Sequence, residues 1–267
     1  MKKYLAIAKA TCQELLAYRS NLLLEVIGGI IAQLVIIAVW YTIFKDLGTE
    51  TIGGFTLPEM MTYLLGAGII NSFILLDSQG DDINDDINRG NLSNFLVRPL
   101  NVSFYWLTRD FCRRMLTFFL GIGEYLILLL LFSEFLVPPA SFLLLFLTLF
   151  SIILAGILHF LLFYILGVIA FWMDQTWGPR FVMRVIMAVA TGSLIPLSLF
   201  PGIWHTIFNL LPFKLLVFVP LQIYLGKITT LEIVQEFAYG LVWILVVAGI
   251  SVWLWKRGIK RYSAYGH

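Results

Sequence analysis

Long apolar stretches dominate the chain and alternate with short polar ones. Several of them approach or exceed the roughly 18 to 20 residues that a helix needs to cross a bilayer. Six spans are predicted, at about residues 22–44, 60–76, 115–132, 142–172, 181–195 and 237–255. The pattern therefore predicts an all-α polytopic membrane protein with six transmembrane helices, in which residues 1–267 form a single transmembrane domain.

Two apolar stretches depart from a simple straight span. The fourth span has about thirty residues, or roughly 45 Å as a helix. It must therefore tilt, bend near Gly156 or Gly167, or extend past the lipid. Residues 196–226 contain four prolines that exclude one continuous helix, namely Pro196, Pro201, Pro212 and Pro220. Because broken backbone is tolerated at membrane depth only inside protein or beside a cavity, short re-entrant or outer helices are predicted there.

Composition and charge agree with a membrane location and predict an orientation. The chain is 60% hydrophobic and 13% charged, against about 25% charged in soluble domains. All but three of the 18 lysines and arginines lie near the termini, in residues 77–114 or in residues 173–184. The three exceptions are Lys45, Lys214 and Lys227. The positive-inside rule therefore predicts that both termini and the loop at 77–114 are cytoplasmic.

Residues 1–20 combine four basic residues with scattered apolar side chains. This predicts an interfacial amphipathic helix at the membrane surface. The stretch is too polar and too broken for a signal-peptide core, so no cleaved leader is expected. The two cysteines, Cys12 and Cys112, form neither a metal-binding spacing nor a disulfide framework.

The predicted cytoplasmic loop contains a very polar stretch, DDINDDINRGNLSNFLVRPL at residues 81–100. On a helix, its repeated Asp-Asp-Ile-Asn places Asp81 beside Asp85 and Asp82 beside Asp86. Like charges four residues apart cost a few tenths of a kcal/mol per pair, so this arrangement does not serve helix stability. A solvated acidic face that marks a loop is one interpretation.

A second short helix is predicted immediately after this repeat. Gly90 ends or bends the first helix, and Asn91 or Ser93 can cap the second. Its apolar stripe consists of Leu92, Phe95 and Leu96. Pro99 stops the element. The predicted helix is amphipathic and about two turns long, and its stripe can rest on lipid, on the protein itself or on a partner.

Three motifs occur in a fixed order along the chain. The first, after the second span, is Ile87-x-x-Gly90-x-Leu92-x-x-x-Leu96-x-Arg98-Pro99-Leu100. The others are Gly192-Ser193-x-x-Pro196-Leu197-x-x-Phe200-Pro201 with Leu211-Pro212-Phe213, and the tail Gly258-Ile259-Lys260-Arg261-Tyr262. With the span count and topology, this order resembles ABC-2 type transporter permeases over nearly the whole chain. The resemblance is closest to the six-span, viologen- or drug-export-like subfamily once grouped as a domain of unknown function.

The resemblance implies an ABC-2 permease fold, type V exporter-like, in a bacterial plasma (inner) membrane. It implies two permease subunits, identical or related, and two cytoplasmic ABC ATPase subunits that hold ATP and Mg. In this family the loop after the second span forms the coupling helix that docks in the ATPase. Carried over, that role falls on Gly90, Asn91, Leu92, Phe95, Leu96, Arg98 and Pro99. The expected export substrate is hydrophobic or amphipathic, cationic drugs and lipid-like molecules included.

The chain itself is expected to be neither an ATPase nor a cofactor-binding protein. A phosphate-binding loop needs the spacing G-x-x-x-x-G-K-[ST]. The only Gly-Lys is Gly226-Lys227, which Ile228 follows, and Leu221 stands where the first glycine belongs. Energy is therefore expected from a partner chain, and no nucleic acid is expected among the partners.

An enzyme is the main alternative interpretation. The motif Asp81-Asp82-x-x-Asp85-Asp86 is similar to the DDxxD motif of prenyl-transferring enzymes, in which carboxylates hold the Mg that binds a diphosphate. Those enzymes need a second Asp-rich cluster, whereas Asp174 is the only aspartate after residue 110. A calcium loop is excluded because Ile87 stands where glycine is needed.

Polar residues inside predicted spans are candidates for a substrate pathway, because burying a charge in lipid costs a few kcal/mol. Glu124, near the middle of the third span, either faces the pathway and attracts a cationic substrate, or is neutral or paired with a neighbouring helix. Gln33, Thr191 and Ser193 are further candidates, although an amide such as Gln33 more often makes an interhelical hydrogen bond. His159 is predicted to be a hydrogen-bonded packing residue. The lack of inverted repeats and of paired midplane charges disfavours a secondary transporter or channel.

Overall fold

The computed structural model describes residues 2–17, 19–74, 79–97 and 101–262. Eleven α-helices and one two-stranded hairpin lie in these residues. The helices are α1 Lys2–Ala17, α2 Arg19–Leu47, α3 Leu57–Ile74, α4 Gln79–Asn88, α5 Leu92–Leu96, α6 Val102–Leu131, α7 Phe142–Val168, α8 Trp177–Ala190, α9 Ile203–Leu210, α10 Phe218–Tyr224 and α11 Thr230–Arg261. The hairpin pairs β1 Thr51–Ile52 with β2 Phe55–Thr56. The 3₁₀ turns are Ser133–Phe135, Ile169–Phe171, Leu197–Leu199 and Pro212–Leu215.

Three of these helices are long and apolar enough to cross a membrane. They are α2 over Gly28–Leu47, α7 with its 3₁₀ turn over Phe142–Phe171, and α11. A fourth candidate is α6, whose halves Val102–Phe119 and Gly121–Leu131 meet at 44°. The described residues are therefore those of a multi-pass helical membrane protein. Crossing by α3, of 18 residues, and by α8, of 14 residues, stays a prediction, and so does the count of six.

Helix α3 forms the centre of the helix assembly. Every residue from Met60 to Leu65 is buried, which means that neighbouring elements cover the helix all round. Those neighbours include α2, α6, α7 and α10. Small residues permit the close contacts: an ideal Cβ on Gly66 would lie 2.5 Å from the Leu221 side chain. The other long helices are thus arranged against α3.

The helix that contains the third predicted span begins well before that span. Helix α6 begins at Val102, well before the predicted start at Met115. The prediction stopped at Arg114 because an unpaired charge is not tolerated in lipid. Both Asp110 and Arg114 are instead buried and paired inside the protein, so the helix continues through them.

The overlong fourth stretch is a single helix with no break at Gly156 or Gly167. Helix α7 continues past Val168 as a 3₁₀ turn, and its last turns pack against the loop that follows α3. An ideal Cβ on Gly167 would lie 2.9 Å from the Cβ of Ile83 in α4. The predicted bend is therefore absent and Gly167 serves close packing, whereas tilt and extension past the lipid stay predictions.

The predicted amphipathic helix at the N-terminus is α1. It packs against α6, and the buried Thr11 hydroxyl donates a hydrogen bond to the Ile7 carbonyl. Lys9 is exposed. One face of α1 therefore rests on protein, and its contact with a membrane surface stays a prediction.

Residues 196–226 form short elements that are separated near the prolines, as predicted. Pro196 precedes one 3₁₀ turn and Pro212 begins another. Pro220 stands in the first turn of α10, where a missing N–H removes no helical hydrogen bond. Helix α10 is largely buried whereas α9 is largely exposed. The re-entrant or outer position of these elements relative to lipid stays a prediction.

The backbone break after α8 is held by hydrogen-bond donors from other elements. The Tyr63 hydroxyl donates to the Gly192 carbonyl at 2.6 Å, and the Trp40 indole donates to the Leu194 carbonyl at 3.2 Å. The amide of the first residue of α10 donates to the Thr191 carbonyl. Gly192 has a φ of +80°, which favours glycine. Irregular backbone at membrane depth needs such partners, because lipid supplies none.

Replacing Tyr63 with phenylalanine should lower the free energy of unfolding by about 1–3 kcal/mol, because the buried Gly192 carbonyl then loses its donor. The measurement is the unfolding of the purified full chain in a graded denaturant. The matched control is Tyr239→Phe, which removes an exposed hydroxyl that donates to the Leu210 carbonyl. Equal stability of the two variants would contradict the role of Tyr63 as an anchor.

Two lysines on the predicted outer side are locally neutralised. The Lys227 ammonium lies 2.8 Å from a Glu59 carboxylate oxygen, and the Lys214 ammonium lies 2.6 Å from that of Glu236. Burial alone would raise the pKa of the Glu59 carboxyl, but hydrogen bonds from Lys227 and the Thr56 amide hold that pKa below its ordinary value. These lysines therefore add little free positive charge to that side.

Candidate functional site

The acidic repeat forms α4, which is anchored on α7. Ile83 and Ile87, one turn apart on the helix, are both buried. The missing side chain of Gly167 lets Ile83 approach α7 closely. The polar loop is therefore folded against the end of a long helix, with its isoleucines inward.

The described aspartates of this repeat already have partners in the protein. Asp85 forms an exposed ion pair with Arg89 at 2.9 Å, and the Trp106 indole donates to Asp86 at 3.0 Å. The side chains of Asp81 and Asp82 lie outside the described part of the structure. Among the side chains that are described, no group of three or more His, Cys, Asp or Glu residues is arranged to hold a metal ion. The diphosphate-binding alternative gains no support from them.

Gly90 ends α4 as predicted, with a φ of +76°. The predicted cap of the next helix is wrong, because Asn91 stands at the N-cap without a capping hydrogen bond. Ser93 instead bonds the hydroxyl of Tyr262 at 3.0 Å. The helix is also shorter than the two turns predicted, since α5 has only five residues, Leu92–Leu96.

The apolar stripe of α5 is divided between the interior and the surface. Leu92 is 0% exposed, and the Phe95 ring packs on Tyr105 with 4.6 Å between ring centroids. Leu96 is 43% exposed and Val97 is 85% exposed. The stripe criterion missed Val97, because adjacent residues do not share a helix face. Arg98 and Pro99, the last members of the predicted coupling segment, lie outside the described residues.

The loop and the ends of three long helices form one apolar cluster, here called the foot. Its buried members are Ile83, Ile87, Leu92, Val102, Trp106, Phe160, Tyr164, Val168, Ala170 and Phe171. Trp106 is at its centre, with its ring centroid 5.9 Å from that of Tyr164 and 5.6 Å from that of Trp255. The foot thus joins α4 and α5 to the start of α6 and the ends of α7 and α11.

The tail motif closes α11 onto the foot. An ideal Cβ on Gly258 would lie 2.0 Å from the Phe171 ring, so only glycine permits this approach without movement of the ring. The Tyr262 hydroxyl accepts a hydrogen bond from the Ser93 amide at 3.2 Å. Two of the three motifs that carried the resemblance therefore meet in space, at α5 and the end of α11.

Glu124 is buried in α6, beyond the bend, and faces α2. An ideal Cβ on Gly29 would lie 2.8 Å from Glu124 Oε1. Among the side chains that the structure describes, no hydrogen bond or ion pair involves this carboxyl group. Both of its predicted roles, in the pathway or as a neutral or paired group, stay open predictions.

The uncharged pathway candidates are bonded to backbone. Gln33 Nε2 donates to the Leu64 carbonyl at 2.8 Å, which is the interhelical bond expected of such an amide. The Thr191 hydroxyl donates to the Met187 carbonyl, and the Ser193 hydroxyl donates to a carbonyl in α8. All three side chains therefore have a structural role. The part of these residues in a substrate pathway stays a prediction.

A buried polar cluster around Arg114 was not predicted from the sequence. Arg114 Nε pairs with Asp110 at 2.6 Å, and both side chains are 4% exposed. The same guanidinium donates to the carbonyls of Phe73 and Ile74 at the end of α3, and contacts His159 Nδ1 at 2.9 Å. Because arginine only donates, Nδ1 is the acceptor. His159 is thus a hydrogen-bonded packing residue, as predicted.

The signal for this cluster was the spacing of its charges. Asp110 and Arg114 stand four residues apart, which places opposite charges side by side on a helix. His159 lies in a distant part of the sequence, and its contact with Arg114 depends on the packing of α7 against α3 and α6. Only the ion pair between Asp110 and Arg114 could therefore have been predicted from the sequence.

The long apolar helices packed around α3 are those of a multi-pass membrane protein. A family model described as ABC-2 family transporter protein matches residues 30–266. The chain belongs to this family, whose members are membrane components of transporters. Searches of the curated proteins and of the solved structures found no similar chain.

Proposed function

We propose that this chain is the permease subunit of an ABC transporter whose ATP hydrolysis takes place on two separate cytoplasmic ATPase subunits. A second permease subunit, identical or related, completes the pathway. The chain crosses the bacterial plasma membrane six times with both termini in the cytoplasm. Family membership supports the class of transporter, and the charge distribution supports the orientation. The observation that supports the coupling role is an exposed apolar surface at the end of α5, here called the tip.

Leu96 and Val97 form this tip, at the end of the polar loop. Both are exposed although the loop around them is polar, and Asn91 and Asn94 beside them are exposed as well. An apolar centre within a polar rim is the usual anatomy of a protein contact site. The tip therefore suits an apolar groove on the ATPase, with the asparagines at its edge.

The foot provides a rigid link from the tip to the long helices. Leu92 anchors α5 in the apolar cluster, Trp106 ties α4 to α6, and Ser93 ties α5 to the end of α11. A displacement of α5 by the ATPase therefore moves the ends of α6, α7 and α11 together. This mechanical link between the ATPase and the long helices is a hypothesis. Variants of the tip test docking of the ATPase, and variants of Leu92 test the link.

The proposed direction is export, and the proposed substrate is hydrophobic or amphipathic. Glu124 supports a preference for cationic or lipid-like molecules, because a buried carboxylate in apolar surroundings favours a positive charge beside it. Its position at Gly29 places this charge between α2 and α6.

The test is co-purification of the full chain with a cytoplasmic ATPase from native membranes. The variant Leu96→Asp with Val97→Asp should lower ATPase recovery at least about tenfold, because desolvating two unpaired carboxylates in an apolar groove costs more than the roughly 1.4 kcal/mol that a tenfold loss requires. The comparison variant is Asn94→Asp, which adds a charge at the polar rim of the same surface and should lower ATPase recovery much less, because rim contacts contribute little to affinity. Membrane insertion and thermal unfolding should not change in either variant.

Unchanged ATPase recovery by the tip variant would exclude Leu96 and Val97 as the docking surface. Failure of the wild-type chain to recover any ATPase would count against the transporter itself. Conversion of an isoprenyl diphosphate by the purified chain alone would favour the enzyme alternative at Asp81, Asp82, Asp85 and Asp86.

A further inference from the structure

A cleft of about 430 Å³ lies between the start of α6, the second half of α7 and the end of α11. Much of its lining is apolar and includes the buried Phe160, the partly buried Leu161 and the exposed Val252. Along α11 the lining runs from Ala248 to Lys256 and beyond, so the cleft is at least two helical turns, or about 12 Å, long. It is therefore long enough for part of an acyl chain.

The polar groups that line the cleft include hydrogen-bond donors without a partner among the described residues. Asn101 Oδ1 accepts from the Phe104 amide, which leaves the Asn101 NH₂ group to donate. The Ser103 and Tyr164 hydroxyls share one hydrogen bond at 2.9 Å, which leaves one hydroxyl hydrogen. The Lys256 ammonium adds a full positive charge. Such a set of donors suits an anion.

No aspartate or glutamate is among the described residues that line the cleft. Lys256 is exposed and forms no ion pair or hydrogen bond with any side chain that the structure describes. The basic residues Arg257, Lys260 and Arg261 follow on the same helix end. Arg257 lies over the Trp253 ring at 4.4 Å, and tryptophan is typical of the membrane interface. Basic pockets between helices at this level bind anionic lipid headgroups.

We propose that this cleft binds one anionic phospholipid of the cytoplasmic leaflet. The phosphate lies at Lys256, Asn101 and Ser103, and one acyl chain follows the apolar wall beside Ala248. The assignment of this site to the cytoplasmic leaflet rests on the orientation given in the proposed function. Binding of the lipid to the cleft does not depend on that orientation. Because Leu96 and Trp255 also line the cleft, the lipid contacts both the tip and the foot.

Native mass spectrometry of the delipidated full chain, titrated with phosphatidylglycerol or phosphatidylcholine, tests this site. The wild type should bind phosphatidylglycerol more tightly. Lys256→Gln should weaken phosphatidylglycerol about fivefold, the effect of one basic residue near an anionic headgroup, and leave phosphatidylcholine unchanged. The matched control Arg261→Gln removes the same charge from the same helix end outside the cleft, and should change either affinity less than twofold. Ala248→Phe should weaken both lipids, because it fills the apolar wall.

Equal losses in the Lys256 and Arg261 variants would show diffuse attraction to the basic helix end and overturn the site. Competition by inorganic phosphate at millimolar concentration would assign the anion site to a soluble phosphate instead. Unchanged lipid binding by the Ala248→Phe variant would show that no acyl chain lies in the cleft. No ATPase is present in this titration, so its failure is distinguishable from failure of the transporter proposal.

Discussion

Replacing Arg114 with methionine is expected to lower the free energy of unfolding by about 3–5 kcal/mol, because it removes the cation that is hydrogen-bonded to the buried Asp110 carboxylate. The pair is 2.6 Å apart and almost fully enclosed. The substitution also removes the guanidinium donors to the Phe73 and Ile74 carbonyls in the last turn of α3. Unfolding of the purified full chain in a graded denaturant measures the loss.

A double variant separates the charge from the packing. Arg114→Met combined with Asp110→Leu removes both charges, and should recover much of the stability, because apolar replacement of a buried pair is often neutral or stabilising. Arg114→Lys should be intermediate, since lysine keeps the charge but lacks the planar guanidinium that reaches several acceptors. Wild-type stability in Arg114→Met would show that the pair does not support the fold.

Helix α6 connects the foot, the Arg114 cluster and Glu124. Trp106 lies in the foot, Arg114 bonds the end of α3, and Glu124 faces α2 beyond the 44° bend. Successive positions are about 12 to 15 Å apart along the helix. Arg114 therefore bonds α3 at a point between the foot and the bend, so in the proposed mechanism a displacement of the foot reaches α3 before it reaches the bend.

The sequence predicted the long elements and the loop because these depend on local pattern. Uninterrupted apolar runs located α2, α7 and α11, and Gly90 located the turn between α4 and α5. The same local reasoning did not predict that the helix of the third span begins at Val102, before the predicted span start at Met115. It treated the charges of Asp110 and Arg114 as signs of solvent, whereas each is neutralised by a neighbour inside the protein.

Burial within the coupling segment could not be predicted, because it depends on what packs over each face. The helical stripe placed Leu92 and Leu96 together, but a helix as short as α5 can be covered at one end and open at the other. The cover over Leu92 comes from distant helices of the foot. The hydrogen bond between Ser93 and Tyr262 likewise joins residues from opposite ends of the chain.

Leu92→Ala should lower the stability of the foot by about 2–5 kcal/mol, whereas the same substitution at Leu96 should change it by less than about 0.5 kcal/mol. The chemical change is identical, and the two residues are on the same short helix. Only Leu92 leaves a cavity in a packed cluster, since it is 0% exposed. Hydrogen exchange of the α4 and α5 amides in the full chain reports this local stability.

Substitutions at Leu92 and at the tip should also have different effects on transport. A loosened foot still presents Leu96 and Val97, so Leu92→Ala should retain the ATPase while transport per ATP hydrolysed falls. The charged tip variant should instead lose the ATPase and keep normal exchange protection in α4 and α5. If Leu92→Ala left both exchange and coupling unchanged, the foot would not transmit the motion of α5, and the link to α6, α7 and α11 would have to lie elsewhere.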